Sequence, residues 1–476
     1  LVMDYKFKTK PYEHQLKALG ACHSKENYAL FMEMGTGKTK VLLDNIGVLY
    51  TTQDIDSALI IATKSVYTIW VNDEIPKHIN IPHEVCLWKP TLEKTVKKFI
   101  QTPSQKCKIL VMNVEAFSTK KGYNIACDFL HKHDALIGID ESSTIKNIKA
   151  MRTKNLIKIR PLGKYRRILT GTPITKSPID IYSQCEFLDP KLLNFPTFTA
   201  FKNRYCIFEM MHSYGDKQIA IPVGFKNLEE LENKIKEFSF RVRKEECLDL
   251  PPKLYQKRVV HLTDEQRILY NELKHQAHTN LQGDYMTVNN AMTEIIRLHQ
   301  ITAGFFKGES SIIKKLENNK MKTLFEILDE SDAKTIIWAN WVHNIEDITS
   351  ELRQKYGPES VVNFYGAVSS EDRSKAIKLF QNDPNCRFFV ANPSTGGYGL
   401  TLTAATLVIY YSNSFDAEHR LQSEERAHRI GQTQKVTYVD LIAEGTIDEK
   451  IVSALNSKID LASKVMGEDP KKILFG

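Results

Sequence analysis

Short runs of β-branched and aliphatic residues alternate with stretches of helical period along most of this chain, the pattern of a parallel sheet with crossover helices. In the first half the runs are 28–32 (YALFM), 59–63 (LIIAT), 109–113 (ILVMN), 135–140 (ALIGID) and 166–170 (RRILT). In the second half they are 335–340 (TIIWAN), 361–366 (VVNFYG), 387–392 (RFFVAN), 407–412 (LVIYYS) and 436–443 (VTYVDLIA). Most are continuously apolar, as parallel strands covered on both faces should be. Two sets of similar size predict an α/β protein of two doubly wound parallel-sheet lobes. Residues 185–310 are mostly helical in period and carry Phe187, Phe195, Phe198, Phe201 and Tyr205. Pro251-Pro252 cannot continue a helix and marks a lobe boundary near 250. The expected division is 1–250 and 251–476, with helical protrusions at about 185–245 and 260–312 and a C-terminal helix.

Composition narrows the class. In 476 residues no stretch approaches the roughly 18 apolar residues of a membrane helix. The first residues lack the apolar core of a signal peptide. The eight cysteines form no CxxC pair, which argues against a zinc ribbon or disulfide framework and fits a reducing, intracellular setting. Net charge is +8, from 65 Lys and Arg against 57 Asp and Glu, which permits a polyanionic partner. Residues 145–167 hold nine Lys or Arg and no acid. Such a run is either a solvated helix face or a phosphate-tracking surface.

The candidate chemistry begins where the first strand meets a helix, at YALFMEMGTGKTK (28–40). Met34, Gly35, Thr36 and Gly37 make the turn. Glycines let backbone N–H groups close on phosphates, Lys38 reaches the β and γ oxygens, and Thr39 offers a hydroxyl to Mg²⁺. A full GxxxxGK[ST] pattern wants glycine where this chain has Met32. Asp140-Glu141 follows the strand ALIGI, at the carboxyl end where doubly wound sheets place their sites. Asp140 is assigned to the metal and Glu141 to the general base that orients or deprotonates the attacking water. Thr170-Gly171-Thr172-Pro173 ends the next strand; alone it reads as a turn.

With these motifs together, the chain resembles the Swi/Snf-like DNA translocases of helicase superfamily two over nearly all its length. PYEHQ (11–15) looks like the adenine-reading segment and implies Gln15 on the base edge. LIIATKSVYTIWVNDEIPKH (59–78) implies Lys64 and Ser65 near the DNA backbone, with Trp70 packed beneath. IDESSTIKN (139–147) carries the trailing Lys146-Asn147, and RRILTGTPITKSPIDIY (166–182) is similar to the coupling motif, with Thr170 and Thr172. FRVRKEE (240–246) and LPPK (250–253) resemble the end of lobe one. NFYGAVSSEDRSKAIKLFQ (363–381) continues the likeness into lobe two. STGGYGLTLTAA (394–405) implies Gly397 and Gly399 near nucleotide and Thr401 near DNA. QSEERAHRIGQ (422–432) implies Gln422 at the nucleotide and Arg426 and Arg429 as fingers for the γ-phosphate, on one helical face by their spacing.

Three positions depart from the family pattern: Ser143 stands for histidine, Lys176 for asparagine, and Thr401 for asparagine or aspartate. The resemblance implies ATP and Mg²⁺ as cofactors and sequence-independent binding of double-stranded DNA through its backbone. The expected activity is a DNA-dependent ATPase that translocates without strand separation. A strand-separating or branch-migrating helicase, and an ATP-gated binding module with a weak motor, stay open beside it. The bare two-lobed form points to a prokaryotic or viral setting, with the nucleus not excluded.

Overall fold

The computed structural model describes residues 5–64, 66–175, 177–212, 218–282, 288–307, 313–396 and 400–466. The chain forms two units. The first ends at Asp249 and takes the chain back at Asp460; the second runs from Leu250 to Ile459. The first lobe carries β1 (Asn27–Met32), β2 (Ser57–Ala62), β3 (His83–Leu87), β4 (Cys107–Asn113), β5 (Ala135–Asp140), β6 (Tyr165–Leu169), a hairpin of β7 (Cys206–His212) and β8 (Gln218–Phe225), and β9 (Ser239–Val242). Seven of these form one sheet in the order β3-β4-β2-β5-β6-β1-β9, and every pairing in it is parallel.

The second lobe carries β10 (Lys253–Val260), β11 (Phe305–Lys307), β12 (Ile313–Lys315), β13 (Thr335–Trp338), β14 (Val361–Phe364), β15 (Phe388–Ala391), β16 (Leu407–Tyr410) and β17 (Val436–Ala443). Its main sheet runs β10-β17-β16-β13-β15-β14, again all parallel. The two α/β lobes expected from the runs are therefore present. Leu59, Ile61, Leu110, Ile137, Ile139 and Ile168 sit in the first lobe's core beside Phe117 and Phe129 of the covering segments. In the second, alternate strand residues such as Ile337 and Ile336 enter separate clusters on opposite faces of the sheet.

Four features differ from the sequence reading. The region 185–245 is not simply helical, since β7 and β8 pair antiparallel there. Strands β3, β9 and β10 were missed because none is a continuous apolar run: KLYQKRVV in β10, for example, alternates with charge and is largely exposed. Several predicted runs overshoot, and the surplus residues, among them Asn340, Gly366, Asn392 and Ser412, belong to loops beyond the strand ends. Finally, the end of the last helix (Ile447–Val465) goes with the first unit rather than with 251–476, and Val465 and Met466 join that unit's core.

Candidate functional site

The phosphate loop leaves the carboxyl end of β1 at Met32 and enters the helix Lys38–Thr51. Gly35 and Gly37 have φ of +82° and +88°, a region open to glycine and strained for other residues. A Cβ on Gly37 would lie 2.2 Å from Gln15 Nε2. Thr36 Oγ1 donates to the Glu33 carbonyl at 2.7 Å. The Met32 position that departs from the full motif is simply the last, fully buried residue of the strand.

Three other segments brace this loop. Gln15 is buried, its Oε1 accepting Tyr12 N–H at 3.0 Å and its Nε2 donating to the Thr36 carbonyl at 3.1 Å. His14 shares that carbonyl at 2.8 Å. The amide expected on a base edge is thus engaged in holding the loop, next to an open cleft lined by Tyr12, His14, Lys17 and 245–249. From β9 and the residues just after it, Val242 accepts Glu33 N–H at 2.9 Å, Lys244 N–H donates to Glu33 Oε2 at 2.8 Å, and the Arg241 guanidinium donates to the Phe31 and Gly171 carbonyls. Gly171 approaches closely as well, since a Cβ there would meet Met34 at 3.0 Å. Motif resemblance marks FRVRKEE; the Arg241 guanidinium, the Val242 carbonyl and the Lys244 N–H supply its local task.

Across one strand stands the acidic pair. Asp140 closes β5. Its Oδ1 accepts Glu141 N–H at 3.1 Å and its Oδ2 accepts the Trp70 indole N–H at 3.0 Å. Glu141 is buried with φ of +51°, a strained state for a residue with a side chain, and Thr170 Oγ1 donates to its Oε2 at 3.2 Å. Burial pushes the Lys38 ammonium below its ordinary pKa, while Glu141 and Asp140 oppose that shift. Burial likewise pushes Asp140 up, opposed by Lys38 and the Trp70 hydrogen bond. Both charges are short of solvation, so a polyanion beside Lys38 and a cation beside Asp140 would each stabilise the charged form. The oxygen donors of Thr39 and Asp140 fit Mg²⁺, which takes one or two protein ligands and completes its shell with phosphate and water. No group of three or more His, Cys, Asp or Glu able to hold a metal occurs among the described residues.

A second layer ties the acidic loop to the segment after β6. Ser142 Oγ donates to Gln184 Oε1 at 2.7 Å, and Gln184 Nε2 donates to the Pro173 carbonyl at 2.7 Å. Lys146 Nζ donates to Thr175 Oγ1 at 2.8 Å, which bonds Asp180. Thr172 presents a buried hydroxyl without a hydrogen-bond partner. Ser143 is 1% exposed, leaving little room for the longer histidine. Lys64 is exposed, whereas Ser65, Lys176, Gly397 and Gly399 lie outside the described residues. The basic run divides: Arg167 is wholly buried and caps the carbonyls of Cys22, Lys25 and Glu26, and Arg160 and Arg166 also bond internally. Lys149, Lys154, Lys158 and Lys164 remain exposed.

In the second lobe the arginine segment is not one helical face. The helix Ala417–Glu424 ends before it, and residues beyond continue as turns through Gly431, whose φ is +101°. Gln432 Nε2 gathers the carbonyls of Thr403, Ala405 and Ala427, wrapping those turns around 400–405. Arg426 and Arg429 nevertheless meet, both donating to the Leu400 carbonyl, at 3.2 and 2.9 Å. Gln422 is fully buried, and its carbonyl accepts Arg426 Nε. Thr401 is exposed. The helix is anchored by Arg420, whose guanidinium lies 3.6 Å from the Tyr410 ring centroid and bonds Asp440, Glu424 and Asn413. Sequence reading passed over this network because its members are dispersed.

A lysine phosphate loop set against a buried acidic pair, in a chain of two parallel-sheet lobes, defines a helicase-type ATP hydrolase. Residues 13–308 match the SNF2-related domain and 319–431 the helicase conserved C-terminal domain. The chain belongs to the SNF2-related family and is a nucleic-acid-dependent ATP hydrolase. It is 28% identical over 462 residues to "DNA annealing helicase and endonuclease ZRANB3" of Homo sapiens, covering 93% of this chain and 39% of that protein. It is 25% identical over 386 residues to "TATA-binding protein-associated factor MOT1" of Saccharomyces cerevisiae, covering 69% and 20%. The chain therefore spans two fifths or less of these relatives. The Sulfolobus solfataricus SWI2/SNF2 ATPase core in complex with dsDNA is 24% identical, covering 99% and 96%, with a TM-score of 0.43. Among the described residues no helix is long and apolar enough to cross a membrane.

Proposed function

We propose that the chain is an ATP-driven motor that tracks the backbone of double-stranded DNA without separating its strands, clearing or remodelling what lies on it. The observation that carries the reading is the position of Lys64. It is exposed just past the carboxyl end of β2, and β2 pairs directly with β5, which ends at Asp140. A phosphate-binding lysine and the hydrolytic carboxylates thus share one sheet edge. The exposed lysines of 149–164 add an electrostatic, sequence-independent contact. In this reading Lys38 and Thr39 would hold ATP and, with Asp140, its Mg²⁺, which would screen the phosphate charge, and Glu141 takes the proton of the attacking water.

Steady-state ATPase with duplex, single-stranded and forked DNA and with RNA tests it. Duplex should stimulate most, with binding falling steeply in salt; equal stimulation by RNA sinks the reading. Glu141→Gln, which leaves Lys38 to hold ATP but removes the base, should abolish function, whereas an ATP-gated module would survive it. One observation favours the strand-separating alternative: the hairpin β7–β8 exposes Ile207, Met210 and Val223. Apolar side chains of this kind unstack base steps when inserted. Release of a labelled strand from a fork would shift the assignment to that alternative.

A further inference from the structure

One buried contact at the carboxyl edge of the first sheet joins two segments with different tasks. Beyond Lys64 the chain forms the short helix Tyr67–Ile69, and the following turn, Trp70–Glu74, is π-helical, with Ile75 N–H donating to the Trp70 carbonyl. Such turns are rare and occur largely at functional sites. The Trp70 side chain is 2% exposed, and its indole N–H, a donor only, goes to Asp140 Oδ2 at 3.0 Å. Burial of an indole does not by itself demand this. Trp338 is fully buried in the second lobe with its N–H unpartnered. Trp70 instead takes one oxygen of the carboxylate assigned to Mg²⁺, while Glu141 N–H takes the other.

We infer that Trp70 is the positioning residue through which DNA held at Lys64 acts on Asp140. The inference rests on the duplex-DNA reading above. A backbone phosphate drawn to Lys64 displaces the segment leading into the π-turn, and the indole carries that displacement to Asp140 Oδ2. DNA contact thereby sets the carboxylate's orientation for the magnesium-bound nucleotide, and turnover rises.

Trp70→Phe keeps an aromatic ring in the pocket and removes the N–H. Duplex-stimulated kcat should fall about tenfold, the order expected of one charge-assisted hydrogen bond, with the KM for ATP within about twofold of the parent. A second readout needs no turnover. The chain has four tryptophans, so 5-fluorotryptophan labelling gives four fluorine resonances, assignable by single Trp→Phe substitutions of the other three. The Trp70 resonance should shift when a short duplex is added without nucleotide. An unchanged stimulation ratio in Trp70→Phe overturns the inference, as does a Trp70 resonance unmoved by a duplex that stimulates the unaltered chain. Failure of duplex to stimulate the unaltered chain overturns the function proposed above instead. Should Trp70→Phe not fold, the labelled parent protein decides.

Discussion

Thr170 Oγ1 donates to Glu141 Oε2 and accepts the Thr172 N–H, at 3.2 and 3.1 Å, so a single hydroxyl fixes both the general base and the first turn of the coupling segment. Thr170→Val keeps the shape and removes both bonds. The Glu141 carboxylate would then lose the hydroxyl that orients its Oε2. We expect kcat to fall about ten- to a hundredfold while nucleotide binding persists. Single-turnover hydrolysis together with equilibrium binding of an ATP analogue checks the split.

Gly37→Ala faces two penalties, a φ of +88° and a Cβ placed 2.2 Å from Gln15 Nε2. Adding Gln15→Ala relieves the contact and leaves the dihedral strain, about 1 to 3 kcal/mol. The expected order of ATP affinity is parent, then double variant, then Gly37→Ala. Isothermal titration on the three proteins measures it; a double variant no better than the single one would refute the clash.

Asp440→Ala strands the buried Arg420 guanidinium, leaving it Glu424 and Asn413 but not its bidentate carboxylate. Breaking a buried pair from one side costs on the order of 3–5 kcal/mol. The loss should fall on the second unit, so hydrogen exchange should rise in 417–443 before it rises in the first lobe's strands. Uniform exchange across both units would contradict this.

His299 gives a pH dependence. Its imidazole is buried near Asp448 and Lys320, and burial lowers its pKa from 6.5 to about 4. The folded state thus binds the proton less tightly than the unfolded chain. This group leaves stability unaffected above about pH 6.5 and lowers it as pH falls from there toward 4. At pH 5 the cost is about 2 kcal/mol. His299→Gln should remove that part of the slope in denaturant titrations at pH 7 and pH 5.

The lobes were legible because a strand covered on both faces must be an unbroken apolar run, as in LIIAT or ILVMN. Edge strands such as β10 escape that rule, since one side of KLYQKRVV meets solvent. At the site, the phosphate loop and acidic pair could be read because their chemistry fixes local spacing. The partners of Trp70, Arg241 and Arg420 could not, because each lies far away in sequence: Asp140, Phe31 and Asp440. Arg166 and Arg167 show the opposite error, in which a run of like charge on paper resolves into buried struts.

The placement of β1 has a consequence for how the chain is made. The strand that leads into the phosphate loop lies between β6 and β9, near 165–169 and 239–242. Its partners therefore leave the ribosome long after it does, and loop closure over that distance precedes any reward from pairing. A nascent chain halted before Ser239 would carry Lys38 and Thr39 intact yet lack the strand and the donors that hold Glu33. Nucleotide binding should be acquired abruptly in synthesis, once Ser239–Val242 and Lys244 have emerged.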